Sequence, residues 1–92
     1  METIWKYPLE VTDYQTLKLP DHHKILCVQV QNGVPCLWVL VDKRYVAYPV
    51  YIYMRGTGHE ANLFTEMNYI GTIQMENGAL IFHVFTSNGN VA

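Results

Sequence analysis

Two Asn-Gly pairs constrain this chain more than any other feature: Asn32-Gly33 and Asn77-Gly78, each set between two runs of strand formers. A two-residue hairpin turn of type I′ needs positive φ at both central positions, which Asn tolerates and Gly adopts freely. Such a turn also fixes the register, because a slip of one residue would send every side chain to the opposite face. In the first hairpin, residues 25–31 against 34–42, Gln31 then faces Val34, Gln29 faces Cys36 and Cys27 faces Trp38. One side of the ribbon is apolar (Leu26, Val28, Val30, Pro35, Leu37, Val39, Val41) and the other is mixed (Ile25, Cys27, Gln29, Gln31, Val34, Cys36, Trp38, Leu40). In the second hairpin, residues 69–76 against 79–85, Met75 faces Leu80, Ile73 faces Phe82 and Gly71 faces Val84 on an apolar side. Gln74 with Ile81, Thr72 with His83 and Ile70 with Phe85 share its mixed side. Aligned on the turns, Gln29 corresponds to Gln74 and Trp38 to His83.

The rest of the chain reads as further short strands. Residues 3–9 alternate, with Trp5, Tyr7 and Leu9 on one side and Ile4 and Lys6 on the other, and Pro8 limits pairing beyond them. Residues 11–15 read as a turn in which Thr12 or Asp13 bonds local backbone. Residues 16–20 turn Leu17 and Leu19 inward and stop at Pro20. Residues 45–54 are rich in strand formers but broken by Pro49, which cannot donate to a ladder. That places the segment at a sheet edge or makes it bulged; at an edge, Val50, Tyr51, Ile52 and Tyr53 would be an uncharged stretch open to pairing with another chain. Thr57 and Glu60 have the spacing of a capping box, which predicts a short helix from Thr57 with Leu63, Phe64 and Met67 as its buried stripe. The expected fold is therefore mainly β: about seven antiparallel strands in a curled sheet, a small barrel or sandwich, with one short helix plugging an end. Residues 1–86 form one domain in this reading, and residues 87–92 a frayed tail.

Composition removes several functions. Half of the 92 residues are hydrophobic and 15% are charged, which suits a folded domain and not a disordered chain. The net charge is −2 and the six Lys+Arg are scattered, so the basic stripe of a nucleic-acid binder is missing. No run approaches the roughly 18 apolar residues of a membrane span, and no basic segment followed by an apolar one opens the chain. The expected location is the cytoplasm of the producing cell. Cys27 and Cys36 sit diagonally across the first hairpin, about 7 Å apart at Cβ where a disulfide needs about 3.8 Å, so both are expected as thiols. With no other cysteine and no carboxylate motif beside His22-His23, neither metal nor cofactor is expected.

Several stretches together resemble a family of short tailed-phage and prophage proteins of uncharacterised function. They are Ile4-Trp5-Lys6-Tyr7-Pro8-Leu9, Gln15, Leu19-Pro20, Ile25-Leu26-x-Val28-Gln29-x-Gln31 and Leu37-Trp38-x-Leu40-Val41-Asp42. Gly56-Thr57-Gly58-His59, Tyr69-Ile70-Gly71-Thr72 and Asn77-Gly78-x-Leu80-x-Phe82-His83-Val84-Phe85 complete the set. Asp21-His22-His23 and Glu60 depart from the family pattern. The resemblance implies a viral or mobile-element origin and expression inside a bacterium, in the host cytoplasm; it supplies no activity.

Two candidate sites follow from the residues. Gly56, Thr57, Gly58 and His59 offer backbone N–H groups at the start of the expected helix, an anion site if not simply a capped turn. On the mixed faces, Trp38, His83, Gln29, Gln74, Thr72 and Cys27 suit a pocket for a purine-like ring, while Trp38, Ile70, Ile81 and Phe85 suit a homo-oligomer interface, both against plain core polar residues. No Ser-His-Asp, H-E-x-x-H or paired-carboxylate pattern supports catalysis, so the chain is not expected to be an enzyme. The leading expectation is a non-catalytic, homo-oligomeric phage accessory protein that binds a host component and counters host defence. A small-molecule sponge for a nucleotide signal and a minor virion component are the alternatives.

Overall fold

A computed structural model describes residues 1–63 and 67–87. It contains seven strands: β1 (Glu2–Pro8), β2 (Tyr14–Pro20), β3 (His23–Gln31), β4 (Val34–Asp42), β5 (Ala47–Gly56), β6 (Asn68–Met75) and β7 (Leu80–Ser87). They form two antiparallel sheets, β1-β4-β3 and β2-β5-β7-β6. The two Asn-Gly turns hold the expected conformation. Asn32 and Gly33 have φ of 51° and 79°, Asn77 and Gly78 have 56° and 87°, and all the hairpin pairings named above for residues 27–38 and 71–84 recur.

Each hairpin breaks strict alternation once. A bulge between Ile25 and Cys27 sets Ile25 opposite Val39 and packs it against the core, while Leu26 is left 44% exposed. Strict alternation gives the reverse, because one extra residue in a bulge exchanges inside and outside for everything beyond it. A second bulge between Tyr69 and Gly71 makes Tyr69, not Ile70, the partner of Phe85.

The inward sides of both sheets share one core. Leu37, Val39 and Val41 of β4 and Val28 of β3 form one cluster with Val50, Ile52 and Met54 of β5, Ile73 of β6 and Val84 of β7, to which Leu9 and Leu19 also belong. Each such burial stabilises by about 1.5–3 kcal/mol, which is why these faces and no others turn inward. The sheets run closest where β3 passes β6. Gly71 makes this approach possible, since a Cβ there would lie 3.0 Å from Val28 Cγ1.

Several expectations are corrected. The sheets stay separate and do not close into a barrel. No helix begins at Thr57: residues 57–63 and Met67 are turn and irregular backbone, and the left-handed φ values of Gly58 (82°) and Asn62 (49°) are incompatible with a continuing helix. Phe64, assigned to that helix, lies outside the described residues. The segment 50–54 is not an edge, because β5 is hydrogen-bonded to β2 on one side and β7 on the other. Pro49 is tolerated near the start of the strand, opposite Lys18, and Val50 and Ile52 are core residues instead of an interface. Finally, Ser87 is a buried strand residue and not the start of a tail; residues 88–92 lie outside the described residues. The connection after β1 is held by Gln15, whose Nε2 donates to Glu10 O (2.7 Å) while its Oε1 accepts from Glu10 N (3.0 Å), where Thr12 or Asp13 was expected to act.

Candidate functional site

The two mixed faces do not meet. Alternation places Trp38 and Gln29 on the outer side of β1-β4-β3, and His83, Gln74 and Thr72 on the outer side of β2-β5-β7-β6, each turned away from the shared core. A single pocket built from both sets is therefore ruled out by topology. Trp38 instead lies opposite Lys6 and Cys27; Lys6 Nζ sits 5.9 Å from the Trp38 ring centroid and donates to Gln31 Oε1 at 2.6 Å. Cys27 and Cys36 are free thiols on that side.

The outer face of the four-stranded sheet carries something that local patterns cannot reveal. Tyr14 of β2 faces Tyr53 of β5, Tyr53 faces Phe85 of β7, and Phe85 faces Tyr69 of β6. One aromatic residue from every strand thus stands in a single row across the sheet. Ring centroids are 5.2 Å apart for Tyr14 and Tyr53, and 5.6 Å for Tyr69 and Phe85 in edge-on contact; Tyr51 stacks on Tyr14 at 5.9 Å. Such pairs add about 0.5–1.5 kcal/mol each beyond area burial, so the row is held in place without a covering layer. Its two ends stay open: Tyr14 is 49% and Tyr69 60% exposed. Partial desolvation, then the neighbouring Tyr51 and Tyr53, push the Tyr14 phenol above its ordinary pKa.

The next row along the strands is polar: Arg55 faces His83, and His83 faces Thr72. His83 is held at both ring nitrogens, Nδ1 by Thr72 Oγ1 (2.9 Å) and Nε2 by Thr57 Oγ1 (2.7 Å). Thr72 Oγ1 lies in turn 2.6 Å from the Tyr69 hydroxyl. Three stretches far apart in sequence therefore join in one hydrogen-bonded chain, Thr57–His83–Thr72–Tyr69. Arg55 leans over Tyr53, 5.8 Å from the ring centroid, and donates to the carbonyls of Asp13, Met54 and Ala61. No carboxylate pairs with it among the described residues.

Gly56, Thr57, Gly58 and His59 form a turn closed by His59 N–H donating to Gly56 O at 3.1 Å, with Gly58 at the left-handed position. Without a helix behind it there is no helix dipole, and the physical basis of the expected anion site is lost. The turn has a different role. It delivers the Thr57 hydroxyl to His83 and folds the His59 ring over Gly56, where a Cβ would lie 2.6 Å from Nδ1. A shallow hollow of about 250 Å³ opens beside it, walled by Thr57, His59, Leu80, Ile81 and Phe82.

His83, Thr72 and the 56–59 turn were thus singled out by sequence and are brought together, with Gln74 two positions along β6 on the same face. Trp38 and Gln29 are not. Phe85 was singled out as an interface residue, but Tyr14, Tyr69 and Arg55 were missed: the register of β2 on β5 and of β5 on β7 is set by long-range pairing that no turn encodes, and Tyr69 reaches Phe85 only through the bulge in β6. Among the described residues no group of three His, Cys, Asp or Glu side chains is arranged to hold a metal ion, and no helix is long and apolar enough to cross a membrane.

Residues 1–91 match a family described as Domain of unknown function (DUF7352). No curated protein and no solved structure matches the chain.

Proposed function

Because the chain belongs to the DUF7352 family, whose description assigns no activity, its role has to be read from its surface, and we propose that it works by binding through the outer face of its four-stranded sheet. The carrying observation is the in-register row Tyr14–Tyr53–Phe85–Tyr69. Aromatic side chains give large contact area at low entropic cost and are enriched where proteins bind partners. A half-exposed row of them across a whole sheet is hard to explain as packing alone. The reading is non-catalytic: both ring nitrogens of His83, the one histidine in the row beside it, are taken up by threonine hydroxyls, which leaves no carboxylate to orient the ring as a general base.

In the phage setting that the sequence resemblance implies, the partner is a host component met in the bacterial cytoplasm, and blocking it would counter host defence. Self-association belongs to the same reading, with its surface moved from the β5 edge to this face. The test is affinity capture from bacterial extract with the wild-type chain and with a Tyr14→Ser/Tyr69→Ser double variant, both side chains being exposed enough to change without unfolding the core. The wild type should retain a component that the double variant loses while the variant still shows the native circular-dichroism spectrum and a cooperative melt. Equal capture by both would discard this face as the working surface, and light scattering that shows a strict monomer at high concentration would remove self-association.

A further inference from the structure

Resting on that reading, we propose that the face takes a free nucleoside phosphate, its base on the aromatic row and its phosphate on the Arg55–His83–Thr72 row. The aromatic row offers ring faces and edges on which any base stacks, a contact worth about 1–3 kcal/mol per base and indifferent to which base it is. Charge selects the other half of the ligand. The chain as a whole is net −2, yet the outward positions of these four strands hold Lys18 and Arg55 and no Asp or Glu among the described residues. Arg55 is anchored by three backbone carbonyls, which orient the guanidinium without neutralising it, and its Nη2 has no hydrogen-bond partner among the described residues. Arginine in that state is suited to an oxyanion of phosphate geometry. Tyr53 and Arg55 are two residues apart on one strand face, about 7 Å by strand rise, a separation of the order that a ribose sets between base and 5′-phosphate. Thr57 and Thr72 flank His83 and supply hydroxyls for the sugar and phosphate oxygens. Two cations and a negative chain are too few for a nucleic-acid strand, which makes a free nucleotide the occupant.

The test follows aromatic and arginine side-chain NMR signals of the full chain during titration with adenosine monophosphate, adenosine, inorganic phosphate and a short single-stranded tetranucleotide. Adenosine monophosphate should shift Tyr53, Phe85, Tyr69 and Arg55 together, adenosine should bind at least tenfold more weakly, and phosphate alone should move Arg55 but not the rings. Tyr69→Ser and Thr72→Val should each weaken adenosine monophosphate severalfold, and Arg55→Lys at least tenfold; the first two are exposed positions and read the site even if the arginine variant fails to fold. Absence of shifts with adenosine, guanosine, cytidine and uridine monophosphates at millimolar concentration would overturn the proposal. So would adenosine binding as well as its phosphate, or a tetranucleotide binding more than tenfold tighter than the monomer. If nucleotides fail while the tyrosine double variant still loses its captured component, the ligand class falls and the binding face stands.

Discussion

Asp42 ends β4 with a side chain only 8% exposed, gripped by Arg44 through Nε to both carboxylate oxygens (3.0 and 3.2 Å), Nη2 to Oδ2 (2.6 Å) and the backbone N–H to Oδ1 (3.1 Å). The chain's amino terminus adds a further contact at 3.5 Å. These donors, the Arg44 side chain first, hold the Asp42 carboxyl well below the ordinary carboxylate range. A group with a lowered native pKa is protonated first in the unfolded chain, so its contribution is complete above about pH 4 and is lost as pH falls toward the native value. Asp42→Asn should therefore lower the urea midpoint at about pH 7, and the gap to wild type should narrow progressively below about pH 4; a gap that does not narrow in acid would contradict the ionic origin. Gly71 makes a different demand. Its missing side chain is what lets β6 approach Val28, so Gly71→Val should destabilise by about 1–3 kcal/mol in chemical denaturation through overpacking of a core contact.

At the scale of the element, the turns carry the register and their cost is separable from sterics. Gly33 has φ of 79° and nothing within 4 Å of where a Cβ would be, so Gly33→Ala should cost about 1–2 kcal/mol from backbone conformation alone. Gly33→Asn should cost less, since Asn visits the left-handed region, and equal losses for both would remove conformation as the cause. The two hairpins were legible residue by residue because a turn of fixed geometry couples neighbours in sequence to neighbours in space. What was not legible has a common cause. Ile25 and Tyr69 changed faces at bulges, which leave no mark in the hydrophobic pattern. The 57–63 segment imitates a helix start through Thr57 and Glu60, but Gly58 and Asn62 adopt left-handed backbone. Gly56→Ala should displace the His59 ring, seen as a change in its NMR signals with little loss of stability, because the ring is exposed and free to move.

At the scale of the whole molecule, sheet order decided what the sequence could not. The proline in β5 suggested an edge, yet β5 lies between β2 and β7, and that interior position is what aligns Tyr53 with Tyr14 on one side and Phe85 on the other. The free edges are β1 and β3 of one sheet and β2 and β6 of the other: β1, β2 and β3 each carry a lysine within the strand, Lys6, Lys18 and Lys24, of the kind that discourages edge-to-edge pairing, and β6 lies against β3. The molecule thus presents guarded edges and one unguarded aromatic face. Under the proposed function, that face is the one covered when the protein works. Tyrosine nitration, mapped by mass spectrometry on the chain alone and in bacterial extract, reads this directly, with Tyr45 and Tyr48 as exposed internal controls away from the row. Protection of Tyr14 and Tyr69 in extract, with Tyr45 and Tyr48 still reactive, is the predicted result; protection of the controls while Tyr14 and Tyr69 react as before would contradict it.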